Sequence, residues 1–165
     1  MNDILGDDHG PCVAVFGYGD ERGGDGSVGL RVARAVASWQ LPGVRAMAMQ
    51  QLTREHAAAL ATADHAFFVD AWETEGDAEP RLVALEPEPG VPPDARGDDP
   101  RALLALAEAL YGRRPGAWRL LIPASHFACG ANLSPATSRG MLVALRLLRD
   151  LMPTLAKCER CTRVV

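Results

Sequence analysis

Apolar positions along the chain follow two periods. Val13–Phe16, Val44–Gln50, His65–Asp70, Arg81–Glu86 and Trp118–Ile122 are short, mostly apolar runs. The unbroken ones have the pattern of parallel strands buried on both faces. Between them apolar residues recur at helical spacing. Val28, Val32, Ala35, Val36 and Trp39 mark one face of a helix from about Ser27 to Trp39. Leu103, Leu106, Ala107 and Leu110 mark the inward face of another, from Pro100 to about Tyr111. The punctuation agrees with these elements. Pro42–Gly43 closes the first unit, and Thr53 predicts an N-cap for a short helix over Arg54–Ala61. Asp99–Pro100 sets a cap before a proline at the first helical position, and Ser134–Pro135 repeats the device for a last helix running to about Met152. The short polar connection Glu73–Pro80 makes the fourth strand an antiparallel or edge strand. Pro87–Asp99, acidic and rich in proline, predicts a mobile loop.

Strands alternating with helices predict the α/β class: a three-layer α/β/α domain with a twisted, mostly parallel five-stranded sheet. No internal repeat competes with that reading. The 165 residues suit one domain, 1–165, with 1–11 and 154–165 as flexible termini. With 48% hydrophobic and 23% charged residues the composition is globular, and the net charge of −4 argues against nucleic acid or an anionic membrane as a partner. No apolar run has the length of a membrane span. The start, MNDILGDDHGP, lacks the basic-then-apolar order of a signal peptide, so the expected location is cytoplasmic. Cys12 reads as a small core residue. Cys158 and Cys161 form CERC, half of a common zinc set, and read as a surface tail.

Open α/β sheets place their sites beyond the carboxyl ends of the strands, and two such ends here are acidic. After the first strand comes GYGDERGGDGSVG, Gly17–Gly29. Arg22 stands where a dinucleotide fingerprint needs its third glycine, no Lys-Ser/Thr pair follows, and Asp20, Glu21 and Asp25 would repel phosphate. The loop is either a turn whose glycines supply positive φ and whose acids favour the helix N-terminus, or a cation site. The third strand ends in Asp70, and a carboxylate at the end of a buried strand is costly unless paired, hydrogen-bonded or bound to metal. Capping a following turn is the alternative; the acidic loop on the adjacent strand favours a site. His126 and Cys129, in IPASHFACGANLSP, are metal ligands by type, or a loop histidine and a buried thiol. His9, His56 and His65 share no spacing that suggests a common site, and His56 reads as solvated. There is no GxSxG elbow and no HExxH, and Ser125, Ser134 and Ser138 have no evident base beside them, so a conventional serine or zinc protease is not indicated.

Taken in order, four blocks resemble the hydrogenase maturation endopeptidases. They are Gly17-Tyr18-Gly19 through Asp25 to Gly29, then QLTREHAAAL at Gln51–Leu60, then FFVDA ending at Ala71, then the LLALAEALYG helix followed by IPASHFACGANLSP. QLT and the PAS-x-F-x-x-G-x-x-LSP block are similar to the members that serve soluble bidirectional nickel–iron hydrogenases. The resemblance implies a twisted sheet flanked by helices. It implies an endopeptidase that clips the C-terminal extension from a hydrogenase large-subunit precursor after nickel insertion, with nickel carried by that substrate. It also implies that nickel is read by an acid of the first loop, an aspartate after the third strand and a histidine before the next long helix.

Asp70 matches the aspartate and Asp25 the first acid of the loop; these two are the catalytic candidates. Asp20 replaces a customary asparagine, Gly26 stands at the second acid, and Arg96, Gly97, Asp98 and Asp99 occupy the histidine's place. The candidate metal contacts are therefore Asp25 with Asp20 or Glu21, Asp70, and Asp98, Asp99 or His126 as the third. The same departures support an alternative, a diverged non-catalytic relative that binds the precursor as a maturation chaperone or assembly factor.

Overall fold

The computed structural model describes residues 13–130 and 132–157, so His9, Cys12, Cys158 and Cys161 lie outside the described residues, as do all of 1–11 and most of 154–165. The strands are β1 Val13–Tyr18, β2 Val44–Met49, β3 His65–Glu73, β4 Arg81–Leu85 and β5 Gly116–Ala124. The helices are α1 Val28–Ser38, α2 His56–Thr62, α3 Pro100–Tyr111 and α4 Pro135–Leu155, with a 3₁₀ turn at Gly24–Ser27 leading into α1. One five-stranded sheet has the order β2-β1-β3-β5-β4. All pairs are parallel except β4 with β5, so the short Glu73–Pro80 connection does make an antiparallel edge. Helices α1 and α4 bury one face against Val13, Val15, Phe67, Val69, Leu120 and Ile122. Helices α2 and α3 bury the other against Ala14, Phe16, Ala66 and Phe68. The expected three-layer α/β/α architecture is the one observed.

The chain leaves β1 toward β2 on one side and toward β3 on the other, so the carboxyl ends of β1 and β3 form the topological switch point. Glycines set the depth of that crevice. A Cβ on Gly17 would lie 2.0 Å from the Gly29 carbonyl oxygen and 2.6 Å from the Ala33 Cβ. A Cβ on Gly29 would lie 2.5 Å from the carbonyl oxygens of both Tyr18 and Val69. Close approach of α1 to β1, with no phosphate involved, accounts for these two glycines. Gly17→Ala is expected to lower stability by about 3 kcal/mol, since backbone must move to admit the methyl; the midpoint of urea unfolding is the check.

Several boundaries move, each for a physical reason. β3 continues three residues past Asp70 because β5 pairs with it as far as Glu73↔Ala124. Asp70 is therefore inside a strand rather than at its end. Thr53 does not cap α2 with its side chain; its carbonyl accepts from His56 N at 3.0 Å in a preceding turn, and the helix begins at His56. His56 is half-buried rather than solvated. Its Nδ1 accepts from Thr53 N at 3.0 Å, and its ring meets Phe16 edge-on with centroids 6.3 Å apart. Asp99 and Ser134 cap α3 and α4 as expected. α4 runs through Pro153, and its last turn is closed by Ala156 N donating to the Met152 carbonyl at 2.8 Å. On α3 the inward stripe includes Leu104, while Leu110 is 43% exposed beyond the edge of the packed face. Loop 87–99 is held against the α2–α3 side, with Val91 and Ala95 packed on the core, Arg54 donating to the Pro93 carbonyl and Glu88 N donating to the Arg101 carbonyl.

Candidate functional site

Two polar constellations sit at the carboxyl end of the sheet. The first is centred on Asp25, which the 3₁₀ turn after β1 carries inward. Asp25 is completely buried. Its Oδ2 accepts from Ser125 N at 3.1 Å, His126 N at 3.0 Å and Ser134 Oγ at 2.9 Å, and its Oδ1 accepts from Ser134 N at 2.7 Å. Burial pushes the carboxyl toward its neutral form, but the donors from Ser134, Ser125 and His126 outweigh it and hold the pKa well below the ordinary carboxylate range. Backbone bonds complete the join: Asp25 N donates to the His126 carbonyl at 2.9 Å, and Gly24 N to the Gly130 carbonyl at 3.2 Å. A Cβ on Gly24, where φ is +54°, would lie 2.8 Å from the His126 carbonyl oxygen. Asp25 thus ties the β1–α1 loop to the β5–α4 loop.

Ser125, His126 and Asp25 have the composition of a hydrolase triad but not its wiring. Ser125 Oγ lies 2.9 Å from His126 Nδ1, so a base does stand beside this serine, contrary to the expectation from sequence. The same nitrogen faces Asp25 Oδ2 at 4.0 Å. A triad needs the serine on one ring nitrogen and the carboxylate on the other. The His126 side chain is 76% exposed, and Cys129 is an exposed free thiol rather than a buried one.

The second constellation lies on the α2–α3 side of the sheet. Phe68, Asp70 and Trp72 of β3 point to this side, in register with Arg119, Leu121 and Pro123 of β5. Tyr18 closes β1 beside them. Arg119 Nη2 donates to Asp70 Oδ2 at 2.6 Å, and the Tyr18 hydroxyl donates to the same oxygen at 3.3 Å. The other oxygen, Oδ1, has no hydrogen-bond partner among the described residues. Burial raises the Tyr18 pKa, and the Asp70 charge raises it further, so the phenol stays a donor. Burial disfavours the Arg119 charge, but the bond to Asp70 and the nearby charges, Asp99 among them, more than restore it. Arg119 Nε is buried without a partner.

The seven candidate metal contacts do not form one ligand set; among the described residues no three His, Cys, Asp or Glu side chains are gathered to hold an ion. Asp20 is engaged in its own turn, accepting from Arg22 N at 2.9 Å. Glu21 pairs with Arg34 at 2.8 Å on the surface. Asp99 spends Oδ1 on Arg101 N at 2.8 Å and Ala102 N at 3.4 Å. Asp25 and His126 are joined, as above, through the loop backbone. Asp70 has one oxygen, Oδ2, fixed by Arg119 and Tyr18 and the other, Oδ1, uncommitted. Sequence reading missed Arg119 and Tyr18. The available signal was a lone arginine inside the apolar run WRLLI, which needs a buried partner.

Gly26, at the place of the second loop acid, has room for a side chain. An added Cβ would meet only the edge of the Phe127 ring, at 3.4 and 3.8 Å, and Phe127 is 42% exposed and free to give. Gly26→Glu is expected to fold with an unfolding midpoint within about 1 kcal/mol of the parent and to place a second carboxylate at the switch point. Isothermal titration with Ni²⁺ is the check, with binding by the variant exceeding that of the parent.

No family model matches the sequence, and no curated protein is measurably similar to it. Solved structures do resemble the fold. The [NiFe] hydrogenase maturation protease HybD from Thermococcus kodakarensis superposes with a TM-score of 0.67 at 21% identity, over 84% of this chain and 97% of that one. The hydrogenase maturating endopeptidase HybD from E. coli gives 0.63 at 18% identity, over 86% and 92%. A hydrogenase 2 maturation peptidase from a Thaumarchaeota archaeon gives 0.60 at 22% identity, over 84% and 97%. Likeness across nearly the whole of these chains, at such low identity, is a statement about architecture: this chain has the fold of the hydrogenase maturation peptidases.

Proposed function

We propose that the protein is a hydrogenase maturation endopeptidase that removes the C-terminal extension of a nickel–iron hydrogenase large-subunit precursor after nickel insertion. Asp70 carries this reading. It stands at the switch point on the central strand, one oxygen fixed by Arg119 and Tyr18 and the other open to a ligand. The fold, and the order of sequence blocks around that aspartate, support the same assignment. Nickel enters as part of the substrate. Asp70 Oδ1 contacts the metal held by the precursor, and Asp25 keeps the two flanking loops at fixed spacing around it. The His126 ring reaches solvent from a loop anchored by Asp25. A substrate-borne divalent ion would position the scissile segment and polarise its carbonyl or a water. Service of the soluble bidirectional type and a cytoplasmic location belong to the same proposal; among the described residues no helix is long and apolar enough to cross a membrane.

A second reading has its own observation. The Arg119 guanidinium, 2.6 Å from Asp70, already supplies this carboxylate with a cation, and the second loop acid is a glycine. A diverged relative that holds the precursor without cutting it would tolerate both. Deleting the gene in its host separates the readings. Accumulation of an extended large subunit supports the peptidase. A large subunit of mature length but lowered abundance supports the assembly factor.

A further inference from the structure

The carboxyl half of the sheet carries a half-exposed shelf on its α2–α3 side. Tyr18, Asp70, Trp72, Leu121 and Arg119 are half-buried there, and Arg81 of β4 is exposed at its outer end. Register fixes this arrangement: Arg81 pairs with Leu121, which pairs with Asp70, so the three side chains share one row and one face. The Arg81 guanidinium lies over the Trp72 ring, 4.3 Å from its centroid. It makes no ion pair among the described residues. A guanidinium attracted to a ring face keeps N–H donors with which it can capture a carboxylate bidentately.

We propose that Arg81, held on Trp72, is a substrate-carboxylate subsite that fixes the register of an acidic extended peptide lying across the shelf past Asp70. This rests on the peptidase reading and adds to it a specificity-determining residue. Geometry favours a peptide crossing the face over one added to the β4 edge. An added strand would lie three strand spacings from β3, about 14 Å, too far for its bonds to reach Asp70. Across the face, Arg81 is two spacings from Asp70, about 10 Å, which an extended chain covers in about three residues. The substrate's carboxylate is thus placed about three residues from the segment at Asp70.

The direct test uses ¹⁵N-labelled full-length protein and two blocked hexapeptides, identical except for one Glu or one Gln. The Glu peptide is expected to shift the Trp72 indole N–H and Arg81 Nε–H resonances saturably, the Gln peptide to leave them in place, and Arg81→Gln to abolish the response. Equal shifts from both peptides, or none from either, would overturn the subsite. With the nickel-loaded precursor, converting the acids of its tail to amides is expected to weaken binding about tenfold for the parent and not at all for Arg81→Gln. If the precursor binds and the tail's charge has no effect, the subsite falls and the peptidase reading stands. If the peptides are discriminated and the precursor does not bind, the peptidase reading falls and the subsite stands.

Discussion

Asp70→Asn is expected to cut precursor processing to about a hundredth of the parent rate or less, the scale seen when one group acting on developing charge is removed. Asparagine keeps the shape and leaves a carbonyl oxygen that still accepts from Arg119 Nη2 and the Tyr18 hydroxyl, now at 2.6 and 3.3 Å from Oδ2. It removes the charge through which the second oxygen would engage a substrate-borne cation. The pair is half-exposed, with side chains 34% and 22% accessible, so loss of the ion pair itself costs little stability. A rate collapse with an unchanged unfolding midpoint separates a contact with substrate from a scaffolding role. Rate and midpoint falling together would reassign Asp70 to the scaffold.

The opposite signature is expected at Asp25. Asp25→Ala would strand three backbone N–H groups that now donate to the carboxylate and would remove the Ser134 hydroxyl's bond to it. The expected cost is about 3–5 kcal/mol, read from urea unfolding. The pH dependence has a definite sign. The Asp25 pKa is depressed in the folded state, so its contribution is complete above the unfolded value, about 3.9, and is lost as pH falls below that toward the folded value. Asp25→Asn is expected to be less stable than the parent at neutral pH and to lose less on acidification from pH 5 to pH 3. A steeper acid loss in the variant would contradict the role of the carboxylate as the loop anchor.

Sequence alone made the layer architecture legible because the apolar periods and the proline-capped helices obey local rules. Asp99–Pro100 and Ser134–Pro135 begin α3 and α4 where the sequence places them. Length was less legible: β3 reaches Glu73 because β5 continues alongside it, a partner that no local pattern in FFVDAW reveals. The site was half legible. Asp70 and Asp25 stand out as acids closing apolar runs or entering a glycine loop, but their different tasks depend on donors about fifty and a hundred or more residues away, Arg119 for one and Ser125, His126 and Ser134 for the other. Spacing does not report such partners. Asp20 and Asp99, singled out for the same residue type, turn out to serve adjacent backbone, as short carboxylates at turns and helix starts commonly do.

The most direct measurement mixes purified protein with the nickel-loaded large-subunit precursor from its own operon and follows the precursor's intact mass. Nickel-dependent loss of a C-terminal peptide, absent with Asp70→Asn, is the expected result. A precursor that binds and keeps its full mass would contradict the peptidase assignment and leave a binding protein on the same fold.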